Sequence, residues 1–290
     1  MKQKQTLFTA KHLRKHFPND GACLEWIKEH RYPNGIDCIK CGKITKHHKV
    51  RSRPVYECDR CRHQVSPLAG TIFHKSTTPL TVWFDATHEM ATTRTGFSAK
   101  SLQRKHGMTY KTAWRMFRQI RTLLNEDDGI LKNEVEVDET YIGGVKHTGK
   151  RGPNLENKTA VIGLAERKGK ITAKVITDTS KFTVIPMINK YVFPKTMLYT
   201  DEYSAYNSVS KFGYRHETVN HSKDEWVNGK CHTNTIEGFW SLVKRGIDGC
   251  YHAVSPKYLQ SYLNEYQFRY NHRLEECPMF LTVLDQIDRV

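Results

Sequence analysis

The sequence predicts a multidomain α/β protein, because three consecutive regions of the 290-residue chain differ in pattern. The first region is rich in Cys, Gly, Pro, Lys and Arg. The second has helical periodicity interrupted by Thr-Gly and Gly-Met. The third begins with strand-length runs and ends in helices, which favours a mixed sheet flanked by helices. We place the domain boundaries at residues 1–72, 73–126 and 127–290.

Two pairs of cysteines in the first region have the spacing of metal ligands. Cys38 and Cys41 form one C-x2-C pair, Cys58 and Cys61 form another, and sixteen residues lie between the pairs. Two such turns offer four thiolates to one tetrahedral ion, with no position left open for catalysis. This predicts a zinc ribbon with one structural zinc. A redox pair, which is one alternative, would not need two copies.

Disulfides are the other alternative, and the start of the chain argues against them. The segment MKQKQTLFTAKHLRKHF has no apolar core of the kind that a secretory signal needs. No apolar run approaches the roughly 18 residues that a membrane helix requires. We therefore expect no membrane segment and a reducing cytoplasm, where the eight cysteines are thiols or metal ligands.

The second region predicts three helices that resemble a helix-turn-helix. Ser98 and Thr109 are good caps for the last two helices, and Gly107 fits the tight turn between them. In the third helix a core stripe is expected from these residues: Tyr110, Ala113, Trp114, Phe117, Ile120 and Leu124. Another face carries Lys111, Arg115 and Arg118, which suits recognition of DNA in a major groove. An ordinary helical bundle with a solvated basic face is the alternative.

Charge is divided unevenly along the chain. Residues 1–125 hold 24 Lys and Arg against 8 Asp and Glu, whereas residues 126–290 hold 22 of each. A basic front half favours a polyanion such as DNA, because neutralised phosphates release counterions. In the charge-neutral half, Lys150 and Arg151 lie in a predicted basic loop, and Arg245 lies in a predicted helix. We expect these three to contact DNA as well.

Three carboxylates in the third region are candidates for catalysis. Asp138 lies inside the β-branched run VEVDETYI, although Asp is depleted in strands. Asp201 directly follows the strand-like TMLYT, and Glu237 lies on a predicted helix. Asp201 as a helix cap, and Glu237 in a capping box with Asn234, are the structural alternatives.

The spacing of the three carboxylates favours a catalytic role over the structural alternatives. Sixty-two residues separate Asp138 from Asp201, and 35 separate Asp201 from Glu237, so a strand centre, a strand end and a helix can converge. Two Mg²⁺ or Mn²⁺ ions bound by three carboxylates would support an in-line displacement at phosphorus. Lys244, two turns after Glu237, would contact a phosphate of the substrate strand.

Nearly the whole chain resembles the bacterial insertion-sequence transposases of DDE type that carry an N-terminal zinc ribbon, the ISXO2-like group. The matching stretches beside the cysteine pairs are GTIFHKSTTPLTVWFDA, SLQRKHGMTYKTAWRMFRQIR, VEVDETYIGG, YTDEYSAY, VNHSKDEWV and HTNTIEGFWSLVKRGI. Asp138, Asp201 and Glu237 match the three acids of the family, and Lys244 matches its lysine seven residues later. Downstream, Glu265 and Arg269 match an acidic and basic pair seen in some members, but His272 stands where those have a second arginine.

The resemblance implies a ribonuclease-H-like catalytic domain and a definite reaction. Hydrolysis at the terminal inverted repeats of the element would free a 3′ hydroxyl, which would then attack target DNA. Two ends must be held together, so we expect a homodimer or a higher oligomer on DNA. It also implies a bacterial protein associated with the nucleoid.

Two other functions are compatible with the same sequence. One is a DNA-binding regulator with zinc ribbon and helix-turn-helix, whose C-terminal domain is catalytically inactive. The other is a ribonuclease-H-type nuclease that acts without strand transfer. Replacing the three acids by Ala would leave a regulator functional but would abolish cleavage and joining by a transposase. A strand-joining assay separates a transposase from a nuclease, which would only hydrolyse DNA.

Overall fold

The computed structural model of the protein describes residues 7–125, 129–143, 158–219 and 231–289. The chain divides into two compact units, one made of Met1–Leu124 with Leu274–Val290 and the other of Asn125–Arg273. The sequence does not indicate that the C-terminal segment belongs to the first unit. The division into three domains at residues 72 and 126 stays a prediction. Within the described ranges no helix is both long and apolar enough to cross a membrane.

The first unit begins with two capped helices and a set of very short strands. Helix α1 spans Ala10–His16 and α2 spans Asp20–Arg31, and the side chain of Asn19 caps α2 by accepting from the Ala22 amide at 2.9 Å. Five strands follow: β1 Asp37–Cys38, β2 Lys43–Ile44, β3 His47–Lys49, β4 Tyr56–Cys58 and β5 Gln64–Val65. Strands β1 and β2 form an antiparallel pair, and β3, β4 and β5 form a separate antiparallel sheet.

Three helices occupy the middle region, as the sequence predicts: α3 Leu80–Thr92, α4 Ala99–His106 and α5 Tyr110–Leu123. The side chains of Ser98 and Thr109 accept the expected capping hydrogen bonds of α4 and α5, and Gly107 has the left-handed φ of 65° that ends α4. Near the end of the chain this unit also contains α9, Met279–Leu284, and a 3-10 helix, Ile287–Arg289; Phe280 of α9 packs against Phe8 with ring centroids 5.0 Å apart.

The expected core stripe of α5 is wrong at its first member. Tyr110 is 48% exposed, whereas Met116 and Leu123 are buried. The stripe is therefore shifted around the helix by about one position. Lys111, Arg115 and Arg118 remain exposed on the opposite side.

The second unit is built on one mixed five-stranded sheet, which confirms the predicted sheet type. Its strands are β6 Glu134–Ile142, β7 Thr159–Glu166, β8 Ile171–Val175, β9 Met197–Thr200 and β10 Arg215–Thr218. The order across the sheet is β10-β9-β6-β7-β8. Strand β7 is antiparallel to β6 and β8, whereas β6, β9 and β10 are parallel.

Helices cover both faces of this sheet. These elements are α6 Lys181–Tyr191, a 3-10 helix Ser204–Phe212, α7 Asn234–Gly246, a π-helical turn Ile247–Tyr251 and α8 Pro256–Asn271. Val135 and Val137 of β6 pack on the α6 side, and Ile142 packs on the α7 and α8 side. Because successive side chains of a strand point to opposite faces, Glu136 and Asp138 share the α7 face with Ile142.

Gly163 of β7 allows α7 to approach the sheet beside Asp138. It is the register partner of Asp138 in the antiparallel pair of β6 and β7. A Cβ at this position would lie 2.5 Å from Ile236 Cδ1 and 2.5 Å from Trp240 Cζ2. The absence of a side chain therefore sets the distance between the helix and the strand.

Replacing Gly163 by Ala should destabilise the second unit by about 1–3 kcal/mol, because the rigid indole of Trp240 must move away from the sheet. The measurement is the midpoint of urea unfolding. Gly238→Ala is the matched control, since a Cβ at that position of α7 meets nothing within 4 Å. We expect this control to be neutral or stabilising, as Ala favours a helix over Gly. An unchanged midpoint for Gly163→Ala would contradict the packing argument.

Candidate active site and metal centre

The four cysteines of the two C-x2-C pairs form one cluster. Their Sγ atoms all lie within 4.8 Å of one another. Cys38 Sγ is 3.4 Å from Cys61 Sγ, and Cys41 Sγ is 3.9 Å from Cys58 Sγ. A tetrahedral zinc with bonds of about 2.3 Å places its sulfur ligands roughly 3.8 Å apart. The cluster therefore fits one structural zinc, as the spacing predicts.

Each pair of cysteines lies on a tight turn of the backbone. The amides of Cys41 and Gly42 donate to the Cys38 carbonyl, and the amide of Arg62 donates to the Cys58 carbonyl. Gly42 and Arg62, which directly follow the second cysteine of each pair, have left-handed φ angles of 62° and 60°. These turns bring two thiols of each pair to the same side of the chain.

Asp138 lies at the centre of β6, on the face that α7 covers. Its pKa is raised to about 7, first by burial and then by the negative charges of Asp201 and Glu237, while the positive charge of Lys244 opposes the shift. Charges act this way only over short distances. The structure therefore brings together the four residues that the sequence singles out for catalysis.

Asp201 reaches this site from the neighbouring parallel strand. Glu136 of β6 is in register with Tyr199 of β9. Two residues beyond that pair, the chains carry Asp138 and Asp201 respectively. The Asp201 carboxylate accepts a hydrogen bond from the Tyr203 amide at 3.1 Å, and the following 3-10 helix begins only at Ser204. Its local role is thus a turn rather than the cap of a long helix.

Glu237 lies in the first turn of α7, and the structure does not form the capping box with Asn234 that is the structural alternative for Glu237. The helix begins at Asn234, so its N-cap is Thr233. The Thr233 hydroxyl donates to Glu237 Oε1 at 2.6 Å instead of accepting from the helix backbone. Lys244 and Arg245 are exposed near the end of α7.

The three carboxylates are more widely spaced than the cysteines. Among the residues that the structure describes, only the cysteine cluster has three or more ligand atoms within 4.8 Å of one another. Two ions about 4 Å apart, each bound at about 2 Å, can be shared by ligands up to roughly 8 Å apart. The hard oxygen donors of Asp138, Asp201 and Glu237 are of the kind that Mg²⁺ or Mn²⁺ prefers.

In magnesium-free buffer, stability should depend on pH through Asp138. The pKa of this carboxyl is about 7 in the folded protein and 3.8 as its ordinary value, so the folded state retains the proton over this range. Protonated Asp138 does not lower the free energy of unfolding, and its full contribution is present below the ordinary pKa of 3.8. Stability falls as pH rises from there through the folded pKa, because the ionised carboxyl is disfavoured in the folded state. We expect Asp138→Asn to unfold at a higher temperature than wild type at about pH 8, with a smaller difference at about pH 5. A difference that is independent of pH would contradict the shift.

The basic residues expected to contact DNA are only partly described. Lys111, Arg115 and Arg118 are exposed on α5, and Arg245 is exposed on α7 with its Nε donating to the Ser241 carbonyl at 3.2 Å. The other two, Lys150 and Arg151, lie outside the described residues. DNA contact by any of the six stays a prediction.

Two charged residues beside the site, the buried Glu136 and the partly buried Arg167, have no counterpart in the predicted set. Glu136 of β6 is fully buried, and Arg167 after β7 donates to it from Nε at 2.9 Å. The alternation of VEVDETYI places Glu136 on the same strand face as Asp138. That alternation is the only feature of the sequence that indicates a place for Glu136 near the site, because the hydrogen-bond partners of Glu136 are distant along the chain.

Two protein families match the chain, and both are parts of transposases. The ISXO2-like transposase domain matches residues 130–271, and the transposase zinc-ribbon domain matches residues 18–64. An uncharacterized protein in transposable element ISH50 of Halobacterium salinarum is 27% identical over 276 residues, which are 88% of this chain and 92% of that protein. An uncharacterized transposase-like protein of Haemophilus influenzae is 25% identical over 120 residues, which are 41% of this chain and 94% of that protein.

Among solved structures, the Drosophila P element transposase strand transfer complex is similar over 75% of this chain and 61% of that chain, with 9% identity and a TM-score of 0.30. A likeness this weak carries no argument. The two matched domains and the long alignment with the ISH50 protein do: the chain belongs to the ISXO2-like transposases, with a transposase zinc ribbon at residues 18–64.

Proposed function

We propose that the protein is an active DDE transposase, which cleaves DNA at the terminal inverted repeats of an insertion sequence and joins the 3′ ends to target DNA. The observation that carries this proposal is the placement of the three acids: Asp138 and Asp201 each lie two residues beyond a register pair of adjacent parallel strands, and Glu237 lies in the first turn of α7. The raised pKa of Asp138 supports it, because its causes include the charges of Asp201 and Glu237. The strand order of the second unit, with β7 antiparallel to both its neighbours, supports the ribonuclease-H-like fold that the family resemblance implies.

Asp138, Asp201 and Glu237 would hold two Mg²⁺ or Mn²⁺ ions, which prefer oxygen ligands. When bound, such ions activate the attacking oxygen and stabilise the leaving oxygen of an in-line displacement at phosphorus. Binding of cations also explains why a strand would carry a carboxyl whose negative charge is disfavoured by its surroundings. Lys244 would contact a phosphate of the DNA strand and hold it beside these carboxylates.

The reaction would have two displacements at phosphorus. In the first, water attacks the phosphodiester at the end of the element, and the bond to the 3′ oxygen breaks to leave a 3′ hydroxyl. In the second, this hydroxyl attacks a phosphodiester of target DNA, which joins the element and releases a target 3′ hydroxyl. Because two ends take part, we propose a homodimer or a higher oligomer on DNA.

Recognition of the ends is assigned to α4 and α5 as a helix-turn-helix. The exposed residues Lys111, Arg115 and Arg118 would contact phosphates and base edges. Lys150, Arg151 and Arg245 would contact DNA close to the carboxylates. The zinc ribbon would add a further basic surface for the same DNA.

The test uses the DNA on either side of the gene, because matched inverted repeats there would supply the substrate. A labelled oligonucleotide with that end sequence is incubated with plasmid DNA, zinc-loaded protein and Mg²⁺ or Mn²⁺. We expect cleavage of the end and covalent joining to the plasmid. Hydrolysis without joining would support a nuclease, and binding without either reaction would support a regulator.

A further inference from the structure

Helix α7 begins without a side-chain cap of its own. The first amides of a helix have no partner inside the helix, and a Thr at the N-cap ordinarily accepts from one of them. At this helix the N-cap is Thr233, and its hydroxyl is directed to the carboxylate of Glu237. The amides of the first turn must therefore find another acceptor.

Glu136 of β6 supplies that acceptor from across the fold. Its Oε2 accepts from the amides of Thr235 at 2.7 Å and Ile236 at 3.1 Å, and its Oε1 accepts from the Thr235 hydroxyl at 2.9 Å. The side chain of Glu136 is 0% exposed. A buried carboxylate at the N-terminus of a helix also interacts favourably with the helix dipole.

Arg167 completes the attachment. Its Nε donates to Glu136 Oε1 at 2.9 Å, and its Nη2 donates to the carbonyl of His232, just before α7, at 2.8 Å. The guanidinium also lies 3.9 Å from the ring centroid of Tyr199 in β9. The Arg167 side chain thus joins the start of α7 to two adjacent strands. These are β6, which carries Asp138, and β9, which ends directly before Asp201.

We propose that Glu136 and Arg167 are positioning residues, which hold the first turn of α7 on the sheet and thereby set the position of Glu237 relative to Asp138. Asp138 follows Glu136 by two residues on the same strand face, and Glu237 follows Thr235 by two residues on the helix. The hydrogen bonds between Glu136 and the start of α7 therefore lie two residues from each of these two carboxylates. This inference rests on the proposed function, because it concerns the residues that would bind the ions.

The first experiment measures Mn²⁺ binding to zinc-loaded protein by calorimetry and by electron paramagnetic resonance. Partners that orient metal ligands typically contribute 10–100-fold to metal affinity. We expect Glu136→Gln to weaken Mn²⁺ binding by about 10–100-fold. The matched control is Glu134→Gln on the same strand, whose carboxylate is 42% exposed and lies 3.9 Å from Arg167. We expect the control to bind Mn²⁺ as wild type does.

A double-mutant cycle separates positioning from a general loss of structure. If Glu136 acts through Glu237, adding Glu136→Gln to a Glu237→Gln protein should change Mn²⁺ affinity by less than about twofold. A merely structural role would lower affinity to the same extent in both backgrounds. That result, or wild-type affinity in Glu136→Gln, would overturn the proposal.

A milder variant covers the case in which Glu136→Gln does not fold. Thr235→Val keeps the shape of the side chain and removes only the hydroxyl that donates to Glu136 Oε1. We expect it to remain folded in the assay and to weaken Mn²⁺ binding several-fold, and wild-type affinity would overturn the proposal. If wild type and Asp138→Asn bind Mn²⁺ equally, the metal site itself is absent and the proposed function fails. If wild type binds Mn²⁺ tightly, Asp138→Asn does not, and both Glu136→Gln and Thr235→Val match wild type, the positioning role alone fails.

Discussion

Replacing Asp138 by Asn should lower DNA cleavage and joining by on the order of 1000-fold or more, with binding of transposon-end DNA retained. The change removes one negative oxygen from the proposed ion ligands and leaves the size of the side chain almost unchanged. The pKa of Asp138 is raised by burial and by two neighbouring carboxylates, so the neutral Asn suits the folded chain without metal. Cleavage and joining are measured on labelled end DNA, and binding is measured by gel shift in the same buffer.

One control variant lies on the same sheet, and the other two acids of the set provide comparison variants. Glu217→Gln changes an exposed carboxylate of β10 and should leave cleavage, joining and binding at wild-type levels. Asp201→Asn and Glu237→Gln should resemble Asp138→Asn, and combining them should add little, because residues that act as a unit are not additive. Normal joining by Asp138→Asn would favour the DNA-binding regulator, whose function is indifferent to these acids.

Local patterns predict the strand and helix that carry the site. The alternating β-branched run at β6 gives that strand its observed bounds, Glu134–Ile142. The helical spacing of the apolar residues Ile236, Phe239 and Val243 predicts one buried face of α7, and all three are buried. These elements are predictable because their periodicity is strong and their burial faces are wide. Placement of Asp138 in a strand, against its propensity, is likewise visible in the sequence.

The elements that the sequence does not reveal depend on contacts made at long range. Strand β10 has only four residues, Arg215–Thr218, and its pairing with β9 defines it rather than any apolar pattern. The acceptor for the amides of Thr235 and Ile236 is Glu136, about a hundred residues earlier. A local capping box is the usual interpretation of Asn234 and Glu237. It fails because the buried carboxylate of Glu136, on strand β6, accepts the hydrogen bonds from the first amides of α7.

The geometry of the site thus depends on residues with no chemistry of their own in the reaction. Gly163 permits α7 to lie close to β7 beside Asp138, and Glu136 holds the first turn of the same helix. Moving the helix outward or loosening its first turn would change the position of Glu237 in both cases. We therefore expect sequence comparisons limited to the acidic residues to miss part of what the site requires.

Replacing Cys38 or Cys58 by Ser should remove zinc from the first unit. Both side chains are fully buried within the cluster, and a serine hydroxyl stays protonated at neutral pH and cannot replace a thiolate ligand. Structural zinc in small domains contributes about 10–16 kcal/mol of apparent binding free energy. Metal analysis of the purified protein should find close to one zinc per wild-type chain and little in either variant.

Loss of zinc should also unfold the ribbon and weaken binding of transposon-end DNA. Each strand of the ribbon has only two or three residues, which is too short to persist without the ion. Cys277→Ser is the control, because its thiol is exposed and lies outside the cluster, and it should retain zinc and DNA binding. Stoichiometric zinc in both Cys38→Ser and Cys58→Ser would refute the four-cysteine site. Zinc loss with undiminished end binding would instead separate the ribbon from recognition and leave that task to α4 and α5.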